Sequence, residues 1–120
     1  AEHIRAHARQ LMQRLIRLLY FKEVRARFAA LHQPMFDRVC KRLGTPAKPL
    51  VELSLMSLLE ASWRLQDRTL RMRANDPVQS DEGAPLAPLT GEELTEFDAW
   101  TTLFRAFTEM SPDAIPEGWL

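Results

Sequence analysis

His3 and His7 stand four residues apart. On a helix that spacing puts two imidazoles on one face, where they can share a metal ion. The zinc-peptidase pattern needs a glutamate directly after the first histidine, and Ile4 occupies that position. His32, the remaining histidine, has no cysteine or carboxylate at ligand spacing with the pair. No metal site is expected. Nucleophilic chemistry is no better served. Cys40 falls among Met35, Phe36, Val39 and Leu43 on one apolar helical face, where a free cysteine acts as a small core residue. Ser54, Ser57 and Ser62 lack the strand-turn-helix context of a nucleophile elbow. Four scattered glycines cannot form a phosphate-binding loop. The acidic pairs Asp81-Glu82 and Glu92-Glu93 fall in a connection and in a first helical turn, and negative charge at a helix start needs no catalytic explanation. The reading is a chain that is not an enzyme and takes no cofactor.

Charge is the stronger signal. The formal net charge is zero, yet residues 1–48 hold 11 Lys/Arg against 3 Asp/Glu, and residues 74–120 hold 1 against 10. Such asymmetry points to an anionic partner or to an acidic end that docks on the basic end. The candidate nucleic-acid contacts are Arg5, Arg9, Arg17, Arg25, Arg27, Lys41 and Arg42, because guanidinium forks match phosphates. A helix-turn-helix reading fails, since the helix that would enter the groove starts too apolar. Arginine outnumbers lysine 13 to 3, read as the mark of a GC-rich bacterial or phage gene. One cysteine allows no intramolecular disulfide, so a reducing compartment, the cytoplasm, is expected. The longest apolar runs, near residues 15–21 and 50–59, fall well short of the roughly 20 residues of a membrane span. The first nine residues lack the apolar stretch of a signal peptide. A basic amphipathic helix could lie on an anionic membrane, but the apolar helix over residues 49–74 needs a cover and the first helix is the natural one. No membrane partner is expected.

The elements that carry these residues read as an all-α chain: a small bundle of three long helices and one short one, without a sheet, in a single domain over residues 1–120. The first helix spans about residues 2–31 and stops before Gln33-Pro34. A short second helix runs from Pro34 to Leu43, and Gly44 supplies its left-handed terminus. The third spans residues 49–74, is central, and is expected to bury Leu55, Leu59 and Trp63 together with Leu94. Residues 77–89 contain three prolines and read as a mobile linker. Thr90 and Glu93 form a capping box for a fourth helix over residues 91–110, which buries Phe97, Trp100 and Phe104. The tail, residues 112–120, is proline-rich but carries Ile115, Trp119 and Leu120.

In the first helix, Ile4, Ala8, Leu11, Leu15 and Leu18 recur at spacings of 4, 3, 4 and 3, one apolar stripe. Beyond Leu19 the apolar face changes, with Tyr20, Phe21, Val24 and Phe28 nearly opposite that stripe. Such a helix either meets different neighbours with its two halves or kinks near Leu19. The expected function is a non-enzymatic interaction module, a small adaptor or assembly subunit. It would act through protein–protein contacts or as a homodimer, with Ile4, Leu11, Leu15 and Leu18 as the interface. The alternative is a small DNA- or RNA-binding regulator that uses the basic N-terminal half.

Overall fold

A computed structural model describes residues 2–114 of the chain. It is all helical: α1 (Glu2–Arg42), α2 (Leu55–Arg73) and α3 (Gly91–Thr108), with 3-10 turns at Leu50–Glu52 and Pro112–Ala114. Among the described residues there is no strand, only an isolated antiparallel bridge between Gln79 and Pro85. Ile115, Trp119 and Leu120 of the predicted tail lie outside the described residues.

The three long helices are those expected, but the short one is not separate. Helix α1 runs unbroken through Gln33 and Pro34 for 41 residues. Proline in a helix interior removes one hydrogen bond and costs about 3 kcal/mol. Here packing on both sides of the proline overrides that cost. Ala29 precedes it, Phe36, Val39 and Cys40 follow, and all four are buried in one core. Pro34 itself and Ala30, whose carbonyl would have bonded it, are exposed, so water can satisfy that carbonyl. Gln33 fixes the incoming loop to the same turn. Its amide donates to the Asp37 carboxylate at 2.8 Å and to the Lys48 carbonyl at 3.2 Å, and its oxygen accepts from the Leu50 amide at 2.7 Å.

Helix α1 ends in a Schellman closure. The Thr45 amide bonds the Cys40 carbonyl at 3.0 Å and the Gly44 amide the Lys41 carbonyl at 3.3 Å, with Gly44 at φ +72°. Asn75 closes α2 the same way at φ +59°, with the Asp76 amide on the Arg71 carbonyl at 2.9 Å. Helix α2 starts at Leu55 rather than near residue 49, because the Ser54 hydroxyl accepts the Ser57 amide and caps it. The expected capping box opens α3: Thr90 Oγ1 accepts from the Glu93 amide at 3.1 Å and Glu93 Oε1 from the Thr90 amide at 3.0 Å.

Helices α2 and α3 form an antiparallel hairpin whose seam consists of small hydroxyl side chains. Ser62, Thr69, Thr101 and Thr108 are all buried, and the Thr108 hydroxyl lies 3.4 Å from that of Ser62. Each hydroxyl donates to a carbonyl three or four residues back in its own helix, for example Ser62 to Leu59 and Thr69 to Leu65. A hydroxyl satisfied in this way packs as a small apolar group. The second half of α1 covers the hairpin through aromatic rings. Phe28 stacks on Phe107 at 3.7 Å between centroids, and Phe36 meets Phe104 at 5.5 Å and Trp100 at 6.2 Å.

The burial of α2 differs from the expectation. Leu58, Leu65 and Met72 face the core, but Leu55, Trp63 and Leu70 are about half exposed, and Leu59 and Leu94 are only half-buried. The hairpin instead buries the Ser62/Thr69 row.

Residues 77–89 are seated on the body rather than strung between helices. Val78 and Leu89 are buried, and Leu86 packs against the core. Asp81 accepts from the Thr45 hydroxyl at 2.8 Å and pairs with Arg68 and Arg64, and its amide donates to the Gly44 carbonyl at 2.8 Å. The Thr45 hydrogen bond above all, then Arg68, holds the Asp81 carboxyl below its ordinary range.

Candidate interaction surface

The second half of α1 is built into the body; the first half is not. Every residue from 2 to 16 is exposed, as are Leu18 and Leu19. At 1.5 Å rise per residue a 41-residue helix is about 61 Å long. The whole molecule measures 66 × 24 × 21 Å, so α1 defines its length and residues 2–19 project beyond the body as a single-helix arm. The sequence left two options for the change of face, a kink returning both halves to one core or two different neighbours. The helix does not return: the early stripe lies outside the core, and the arm does not cover α2.

That stripe is the largest apolar feature left in water. Ile4 is 63% exposed, Leu11 54%, Leu15 53% and Leu18 47%, with Met12 and Leu19 widening it. Its width follows from helix geometry, since spacings of 4, 3, 4 and 3 keep these side chains on one arc. Arg5 and Arg9 flank one edge and His7 and Arg14 the other, all exposed. None of Arg5, Arg9 or Arg14 has an ion-pair partner among the described residues. The ion pairs sit elsewhere. Arg38 pairs with Glu96, Arg42 with Glu93 at 2.9 Å, and Arg73 with Asp98 at 3.0 Å. Among the described residues the acidic C-terminal half thus docks on basic residues between Arg38 and Arg73. Glu93 is held below the ordinary carboxylate range, first by the Arg42 side chain and then by the Thr90 amide.

The seven candidate nucleic-acid residues do not gather on one surface. Arg5, Arg9, Arg27 and Lys41 are exposed along one side of α1, with Arg27 paired to Glu23. Arg17 is half-buried on another side. Arg25 donates to the Leu53 carbonyl at 3.3 Å and lies over the Phe21 ring. Arg42 is committed to Glu93 and to the carbonyls of Ala87 and Pro88 at 3.0 and 2.8 Å.

The residues tested for chemistry do not converge. His3 and His7 are exposed on the arm, and His32 rests on Phe28 at 4.3 Å between centroids. Burial pushes the Cys40 thiol up to about 12, which keeps it protonated. Among the described residues no three His, Cys, Asp or Glu side chains are placed to hold a metal ion, and no helix is long and apolar enough to cross a membrane.

Two surfaces escaped the sequence reading. Met56, Trp63 and Leu70 form an exposed ridge on α2 at seven-residue spacing, Met56 being 61% exposed. The missed signal was the pair of small-hydroxyl rows, Ser62/Thr69 and Thr101/Thr108, each also seven residues apart, which claim the inner face and turn the ridge outward. At the root of the arm, Phe21, Phe28, Leu53, Leu58, Phe104 and Phe107 line a groove of about 260 Å³, with Lys22 and Arg25 also at its wall. That is smaller than the usual small-molecule site of roughly 300–1,000 Å³. Compared with protein-family models, with curated proteins and with solved structures, the chain matches none.

Proposed function

We propose that this chain is a non-enzymatic helical interaction module, a small adaptor or assembly subunit that acts through protein–protein contacts made by the α1 arm. One observation carries the reading: an apolar stripe from Ile4 to Leu19 lies outside the core on a helix that projects from the body. Monomers seldom keep contiguous apolar patches beyond a few hundred Å² unless the patch binds something. Holding eighteen residues helical in water also needs tertiary support, and a docking partner supplies it. The lone buried Cys40 suits a reducing compartment, and we place the protein in the cytoplasm on that ground.

A second reading is favoured by one specific feature, the exposed line of Arg5, Arg9, Arg27 and Lys41 along one side of α1. In that reading the same helix follows a phosphate backbone. Size-exclusion chromatography with light scattering, run with and without mixed-sequence DNA and RNA, separates the two. Protein contact predicts a mass that depends on protein concentration and is unmoved by nucleic acid. A shift only on adding nucleic acid, lost steeply with salt, would replace the first reading with the second.

A further inference from the structure

We infer that the partner of the arm is a second copy of this chain, its arm laid antiparallel on the first across a two-fold axis near Leu11; this rests on the interaction-module reading. The stripe is self-complementary in that arrangement. Ile4 and Leu18 lie seven residues on either side of Leu11, so a two-fold axis through Leu11 sets Ile4 of one protomer against Leu18 of its partner. The same axis sets Ala8 near Leu15, small against large, whereas a parallel pair leaves Ala8 facing Ala8 over a gap.

The extent of the seam matches the extent of the arm. The 4-3 alternation that places Ile4, Ala8, Leu11, Leu15 and Leu18 continues to Lys22 and Arg25, which close the apolar run where the body begins. An overlap over residues 2–19 therefore uses the whole arm, about 27 Å, and leaves the two bodies at opposite ends. The exposed stripe amounts to roughly 600 Å² of apolar surface per copy, or ~1,200 Å² for the pair, the lower edge of stable interfaces.

Charge selects the orientation. The arm carries Arg5, Arg9, Arg14 and the half-buried Arg17, and no acid beyond Glu2. A parallel pair sets these cations at equal heights and both positive helix ends together. The antiparallel pair staggers them, with Arg5 level with the partner's Arg17, which lies on the far side of its helix from the stripe, and His7 level with the partner's Leu15, and it opposes the helix dipoles favourably. Because the flanks of the seam remain cationic, added salt strengthens this association by screening. Binding to nucleic acid or an acidic partner weakens with salt instead.

The test uses the full chain. Light scattering should give a two-chain mass at tens of micromolar, with a dissociation constant that falls as NaCl rises. Leu11→Glu with Leu15→Glu should weaken association roughly 100-fold or more, because both lie at the centre of the seam in both protomers. Orientation is read by disulfide trapping. Ile4→Cys mixed with Leu18→Cys should cross-link, and Ile4→Cys alone should not. A one-chain mass at every accessible concentration overturns the inference and leaves the interaction-module reading standing. Self-linking of Ile4→Cys overturns the antiparallel register. Dissociation by Trp63→Glu as complete as by the Leu11/Leu15 pair moves the acceptor to the α2 ridge and overturns the arm-on-arm contact. Binding to anionic vesicles without any dimer in solution overturns it as well. Unfolding of the body by the two glutamates would place the stripe in the core and remove the underlying reading too.

Discussion

Replacing Gly44 by alanine tests whether residues 77–89 are seated on the end of α1. Gly44 closes the helix at φ +72°, a conformation that costs an L-residue roughly 1 kcal/mol or more. An added Cβ there would lie 2.5 Å from Ser80 Cβ and 2.7 Å from Ser80 Cα, inside van der Waals contact and partly against backbone. Forcing such an overlap typically costs about 1–3 kcal/mol. The total, about 2–4 kcal/mol, is a large fraction of the stability of a domain this size. Gly83 is the internal control. It also has positive φ, +88°, but a Cβ there meets nothing within 4 Å. Gly83→Ala should therefore carry only the backbone cost, and the entropy change in the unfolded chain is common to both variants. Urea denaturation followed by helical circular dichroism measures both. Gly44→Ala should be the less stable by about 1–3 kcal/mol at unchanged m-value. Equal losses would refute the reasoning, because they would mean that Ser80 does not press on the helix end.

Leu65→Ala should cost about 2–5 kcal/mol, whereas Leu70→Ala, half exposed on another face of the same helix, should cost less than about 1 kcal/mol; denaturation curves that reverse this order would contradict the burial of Leu65. Asp81 and Glu93 titrate lower in the fold than their ordinary values of 3.8 and 4.5, so their contribution is fully present above about pH 4.5 and is lost as pH falls through the lowered values. Asp81→Asn with Glu93→Gln should flatten that acid limb of the stability curve, and an unchanged limb would assign acid loss to other groups. The Cys40 thiol should label with a disulfide reagent at pH 8 only as fast as the body opens; immediate labelling in native buffer would contradict its burial.

Local signals proved the most legible. Thr90 with Glu93, and Gly44, each mark a helix end because the hydrogen bonds that close it lie within a few residues of the mark. The apolar row of α3 was equally plain, since Phe97, Trp100 and Phe104 are large and evenly spaced. Pro34 misled because its cost is local while its compensation is not: Phe36 packs on Trp100 and Phe104, more than 60 positions away. Trp63 misled because a large apolar side chain suggests burial, and half of it stays in water. Ser62 and Thr69 hide their polarity in bonds to their own helix, and so both can be fully buried. The arm's stripe was visible as a 4-3 pattern, but spacing alone cannot say whether a stripe faces its own core or lies beyond it. That depends on how far the body reaches along α1, which long-range packing decides.

The central claim is that the apolar stripe of α1 lies outside the folded core. The most direct measurement is the unfolding free energy of the Leu11→Glu, Leu15→Glu variant, taken beside wild type at protein concentrations low enough for both to be single chains. The two side chains are 54% and 53% exposed, so the account predicts stability within about 0.5 kcal/mol of wild type. A loss of about 2–5 kcal/mol, like that expected for Leu65→Ala, would mean that the stripe is part of the core and would contradict the claim.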